Sequence, residues 1–185
     1  MKLYMILLGC TPKGRLTEQH DVFFGIGNSL KELIPQMNQF WPEANGQIHI
    51  DAWREVTCVE NFCVEIVTKN TVSKNESQLY FINLGGYKEN DFEEYHYKMI
   101  LTGTSLAEVT KKAKKALFYK HFNFKGGGES HIDDKYGVDV DDIHNVKDVL
   151  PLELKEKYEL KISKNTSSII EDELHIGYVK LDKLK

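Results

Sequence analysis

The chain has little of what would mark a specialised protein class. Its 185 residues include three cysteines, Cys10, Cys58 and Cys63, with no C-x-x-C pair among them. That odd, scattered count excludes a disulfide framework and a zinc ribbon and points to a reducing compartment, the cytoplasm. Four prolines and 13 glycines exclude collagen-like and low-complexity chains. No run of about 18 apolar residues exists, so no transmembrane helix is written. Charge of one sign is also missing. With 24 Lys+Arg against 28 Asp+Glu, the net charge of -4 argues against a nucleic-acid-coating surface. What remains is a globular chain long enough to bury roughly 70% of its unfolded surface.

What the sequence does carry is a duplication. Residues 79–109 laid on 3–33 without a gap give 11 identities in 31 positions, at an offset of 76 residues. The matches are Leu3/Leu79, Tyr4/Tyr80, Ile6/Ile82, Leu8/Leu84, Gly9/Gly85, Glu18/Glu94, His20/His96, Gly27/Gly103, Ser29/Ser105, Leu30/Leu106 and Glu32/Glu108. After a six-residue insertion, His49-Ile50-Asp51 finds an echo in His131-Ile132-Asp133. The repeat also settles an ambiguity at the start. Leu3 to Cys10 resembles a lipoprotein signal ending at its cysteine, at the short limit for such a segment. The same pattern recurs at Leu79 to Gly86, inside the chain, so both segments read as strands.

Each copy reads as strand, strand, helix, strand and a further strand or hairpin. His20 to Ile26 is aromatic and β-branched, as strands prefer, and Gly27 ends it. Ser29 with Glu32, and Ser105 with Glu108, have the spacing of capping boxes that open a helix in each copy. Leu106, Val109, Ala113, Ala116 and Leu117 then recur at helical spacing, as do Leu30, Leu33, Met37 and Phe40, with Pro35 kinking or splitting the first helix. Gln47 to Trp53 is a strand, and Val56 to Val59 with Phe62 to Ile66 a hairpin turning at Glu60-Asn61, with Cys58 facing Cys63. Residues 68–77 form a polar linker. The expected architecture is α+β: two tandem ββαββ-like repeats with mainly antiparallel sheets, related by a pseudo-two-fold. Residues 1–76 form the first repeat and 77–185 the second, which includes the C-terminal strands Tyr158 to Ile162 and Leu174 to Leu181. A cleft at the seam would be a natural ligand site.

Leu7-Leu8-Gly9, Arg15, Glu18 to Gly27, Phe40 to Ala44 and His49 to Trp53 together resemble the bacterial family known as domain of unknown function 1543. That resemblance implies one or two copies of the domain per chain and a cytoplasmic bacterial protein. It implies no activity, substrate or catalytic residue. The second copy departs from the pattern, with Asp91, Tyr97 and Leu101 where the first has Arg15, Asp21 and Gly25.

The sharpest chemical candidate is Glu18-x-His20 with His49-x-Asp51, because i, i+2 spacing on a strand puts both members on one face. Two histidines and a carboxylate can ligate zinc or ferrous iron, His20, His49 and Asp51 being the set here, and a histidine beside a carboxylate can act as a base. Val22, Phe24 and Ile26 share His20's face, which favours the plainer reading of histidines hydrogen-bonded at strand ends. Cys10, beside Lys13 and Arg15, is a nucleophile if those cations lower its pKa, and otherwise a small buried apolar side chain. Gly25-x-Gly27-x-Ser29 opens a helix whose amides can hold an anion, though it reads better as a tight turn. With Arg15, Asp21 and Trp53, these three make up the candidate ligand-binding set. Gly126 to Gly128 reads as a flexible loop. Lys111, Lys112, Lys114, Lys115 and Lys120 read as a solvated face rather than a nucleic-acid surface. Asp139-x-Asp141 lacks the glycine and closing glutamate of a calcium loop.

The leading expectation is a non-catalytic module for an unknown small ligand or protein, with no cofactor and with a homodimer left open. The alternative is a metal-dependent or hydrolase-like enzyme using Glu18, His20, His49 and Asp51.

Overall fold

The computed structural model describes residues 1–69, 77–87, 90, 92–121, 139–165, 170 and 172–184. In chain order the strands are β1 (Lys2–Cys10), β2 (Gln19–Gly27), β3 (His49–Glu55), β4 (Cys58–Val59), β5 (Phe62–Thr68), β6 (Gln78–Tyr87), β7 (Glu94–Gly103), β8 (Asp139–Asn145), β9 (Tyr158–Lys164) and β10 (His175–Lys180). The α-helices are α1 (Ile34–Phe40), α2 (Leu106–His121), α3 (Val146–Val149) and α4 (Leu152–Lys157). The protein is α+β, and its strand pairs are antiparallel. No helix among the described residues is long and apolar enough to cross a membrane.

The chain divides into two compact units, Met1–Lys74 with Val149–Lys185, and Asn75–Asp148. The C-terminal strands were expected to close the second repeat. Instead β10 pairs with β3, and β9 with β5, so residues 149–185 return to the first unit. The reason is register and chemistry that only the tertiary pairing offers. Asp172 accepts hydrogen bonds from the amides of Thr57 and Cys58 at 2.9 and 3.0 Å, from the Thr57 hydroxyl and from Arg54 Nη2 at 3.1 Å. The C-terminal segment is thereby bound to the β3–β4 turn.

Unit 1 holds a sheet in the order β10-β3-β1-β2 and a second sheet β4-β5-β9. Alternation along β1 puts Tyr4, Ile6 and Leu8 on one face. With Phe23, Ile50, Leu33 and Met37 they form the unit's core. Pro35 does split the expected helix. Leu30–Leu33 is a 3₁₀ turn, and α1 starts at Ile34 with the proline in its first turn, where its missing N–H costs nothing. Ser29 makes no cap; Glu32 instead accepts from the Asn28 amide at 2.8 Å. The hairpin is as expected, with Glu60 at φ 54 in the turn and Cys58 opposite Cys63, both free thiols.

Unit 2 is built on the sheet β7-β6-β8 and on α2. Its core is Tyr80, Ile82, Leu84, Leu101, Val109 and Ala113. Here the Ser105 hydroxyl does accept from the Glu108 amide, at 3.3 Å, while the Glu108 carboxylate reaches back to the Thr104 amide, one residue earlier than the box predicts. Leu106, expected in the apolar stripe, is exposed at the first position of α2. The two units repeat one register. Lys2 to Cys10 pair with Gly27 to Gln19, and Gln78 to Tyr87 with Gly103 to Glu94, so Gly9 faces His20 as Gly85 faces His96.

Candidate metal centre

The register of unit 1 builds a site. Gly9 lies directly opposite His20 on β2 and directly opposite His49 on β3. Residues facing one another across a sheet share a face, so both imidazoles rise on the same side with Gly9 between them. That is the side away from the helix-covered core. The register slips between Leu7 and Leu8, leaving Asp51 as the extra residue of a β-bulge. Bulges re-aim side chains, and this one turns Asp51 in beside His49. Glu18, two residues before His20, completes the ring.

His49 Nε2 lies 3.0 Å from Glu18 Oε1 and 3.4 Å from Asp51 Oδ2. His20 Nε2 lies 3.3 Å from Asp51 Oδ2 and 3.7 Å from Glu18 Oε2. His49 is 6% exposed, whereas the Glu18 and His20 side chains are about two-fifths exposed, so the cluster opens to water on one side. Despite the short distances, His49 Nε2 and Asp51 Oδ2 are buried with no hydrogen-bond partner. Buried polar atoms are almost always hydrogen-bonded, and these two, 3.4 Å apart and in ion-pair contact only, are a donor pair that one cation can bind. Gly9 forms the floor: a Cβ there would sit 2.3 Å from His49 Nε2 and 2.5 Å from Asp51 Oδ2. Two imidazole nitrogens, each within 3.7 Å of two carboxylates, are donor types suited to zinc, ferrous iron or manganese.

The plainer reading of the histidines rested on apolar neighbours along β2. The strand changes character along its length: Phe24 and Ile26 are buried, and His20 at the other end is open. Beside the cluster lies an open groove of about 480 Å³, whose lining includes Glu18, His49, Thr11, Gln47, Tyr178 and Lys180. Tyr178 packs on the His49 ring, centroids 4.4 Å apart, and so fixes the plane of that imidazole. Tyr178 and Lys180 come from β10, far along the chain, and neither was singled out in the sequence.

The other candidates are placed elsewhere. Arg15 is exposed in a turn, its amide donating to Pro12 O at 3.1 Å. Asp21 is exposed and accepts from the Val22 amide. Gly25 and Gly27 are buried at the far end of β2, pressed on Phe23, Gln36 and Leu33, so their smallness serves packing. Ser29 caps nothing, and the first α-helix starts five residues later. Trp53 stacks on His175 at 3.8 Å and packs on the core. Cys10 is buried. Its burial, and then the negative charge of Glu18, push the thiol pKa up, the reverse of what a nucleophile needs.

In unit 2, His131 and Asp133 lie outside the described residues, as do Gly126 to Gly128. Among the described residues, it is β8 that pairs with β6 as β3 pairs with β1. Asp139 stands opposite Gly85, Val140 opposite Leu84, and the bulge between Asn83 and Leu84 carries Asp141. Asp141 therefore holds the place of Asp51, eight residues beyond the sequence match. The signal was the Asp-x-Asp spacing, obscured because the connecting segment of the second copy is longer.

Residues 15–66 match the family model Domain of Unknown Function (DUF1543). The DUF1543 segment contains all four residues of the cluster and ends within β5. The protein Il1583 from Idiomarina loihiensis, known from its crystal structure, is similar over 97% of both chains, with a TM-score of 0.63 and 19% identity. At that identity the likeness shows the fold alone. No curated protein matches the chain.

Proposed function

We propose that the protein is a duplicated, DUF1543-type cytoplasmic protein whose first unit is a metal-dependent centre of hydrolytic type. In this reading His20, His49 and Asp51 hold a zinc- or iron-class divalent ion, and a small molecule is acted on in the adjoining groove. The observation that carries it is the buried pair His49 Nε2 and Asp51 Oδ2, which make no hydrogen bond and sit over a glycine whose missing side chain leaves room beside them. An ion held by these three residues would supply a water whose pKa is lowered toward neutrality. Glu18 is the more exposed carboxylate and lines both the cluster and the groove. That position suits a general base that takes a proton from such a water. The duplication is supported by the shared 76-residue register of β1–β2 and β6–β7. The four cluster residues come from the two ends of a 34-residue window, Glu18 and His20 from one and His49 and Asp51 from the other, and their convergence beside Gly9 favours the metal-dependent reading.

Metal analysis of protein purified without an affinity tag tests it. About one zinc or iron per chain is expected in the first unit, lost in His49→Ala and His20→Ala. Glu18→Gln should keep the metal and lose hydrolysis of chromogenic esters and phosphodiesters. If His49→Ala binds metal as the wild type does, the assignment is wrong.

A further inference from the structure

We propose that unit 2 carries a second cation site, formed by Glu94, His96 and Asp141, with a harder donor set that takes a manganese-class divalent ion. One ligand-type atom from each of these residues lies within 4.8 Å of the others. His96 Nδ1 is 3.2 Å from Asp141 Oδ2, and His96 Nε2 is 3.9 Å from Glu94 Oε2. The backbone device of unit 1 is repeated. His96 faces a glycine, Gly85, across the sheet, and Asp141 enters from a bulge on the neighbouring strand. Gly85 is again a floor, for a Cβ there would meet Asp141 Oδ2 at 2.4 Å.

A separate observation points to a ligand. Asn83, two residues before Gly85 and so on its face, stands where unit 1 has Leu7. Its amide nitrogen lies 3.2 Å from His96 Nδ1, while its Oδ1 is buried with no hydrogen-bond partner. An apolar residue has thus been replaced by an amide whose oxygen still lacks a partner. At the position of His49, unit 2 has Asp139. The trio therefore offers one imidazole between two carboxylates. Oxygen donors suit manganese and magnesium, and the two-imidazole set of unit 1 suits zinc and iron.

The test is Mn²⁺ binding to the full chain, followed by electron paramagnetic resonance and by metal analysis after gel filtration. Asp141→Asn should weaken one class of Mn²⁺ site by about tenfold or more and leave zinc in unit 1 unchanged. Glu94→Gln, at an exposed position, should do the same and guards against a folding defect in the first variant. His49→Ala should leave this Mn²⁺ site intact, which separates its fate from that of the unit 1 centre. Mn²⁺ binding unchanged in both Asp141→Asn and Glu94→Gln would overturn the proposal.

Discussion

Replacing Gly9 by alanine tests the metal centre at its floor rather than at a ligand. The added Cβ would lie 2.3 Å from His49 Nε2 and 2.5 Å from Asp51 Oδ2, so both atoms must retreat by about 1 Å to reach ordinary contact. Metal–ligand distances tolerate only about 0.2 Å, so neither atom could still reach an ion placed for the other ligands. Loss of supporting contacts alone typically costs 10–100-fold in metal affinity; displacing two ligands together should cost at least about 100-fold. The fold should suffer much less. Gly9 lies within a regular antiparallel pairing and has no left-handed backbone. Two side chains pushed about 30° off their rotamers cost roughly 1–3 kcal/mol together, a few degrees of melting temperature for a chain this size. The assay is zinc titration of Gly9→Ala against wild type, with melting of the metal-free forms as the control. A variant that binds zinc within tenfold of wild type would refute the reasoning. So would a collapse of the metal-free fold, because it would make the cluster a structural element.

Two further outcomes follow from the same geometry. Asp172→Ala should destabilise the protein by about 3 kcal/mol, since it leaves two amides, a hydroxyl and Arg54 without their shared acceptor. Burial pushes the Asp172 carboxyl up, but the hydrogen bonds from Thr57, Cys58 and Arg54 outweigh it and hold the pKa below the usual aspartate value. Its stabilisation is therefore fully present above about pH 4 and lost as pH falls through the depressed folded value. Acid titration of denaturant midpoints should show a drop in wild type that Asp172→Asn lacks, and parallel curves would refute the linkage. Cys10 should resist alkylation at neutral pH until the protein unfolds, because burial and Glu18 keep its thiol protonated; rapid labelling of the native protein would contradict that placement.

Residue identity alone determined much here. Alternation in Leu3 to Leu8, the aromatic run at His20 to Ile26, Pro35 and the Glu60-Asn61 turn are local signals, and local sterics and hydrogen bonding act on them directly. The repeat placed Gly9, Glu18 and His20 against Gly85, Glu94 and His96, and the i, i+2 spacings placed each pair on one strand face. Tertiary structure decided the rest. Whether His20 and His49 meet depends on both strands flanking β1 at the same residue, Gly9, and on a bulge that no spacing announces. Asp141 answers Asp51 because strand register, not similarity of letters, sets which side chains face one another. Tyr178 and Lys180 reach the groove, and Asp172 reaches Thr57, because the C-terminal strands pair back with unit 1. Pairing between distant strands is a contest among long-range partners, settled by collective burial and hydrogen bonding, and no short window of sequence contains both contestants.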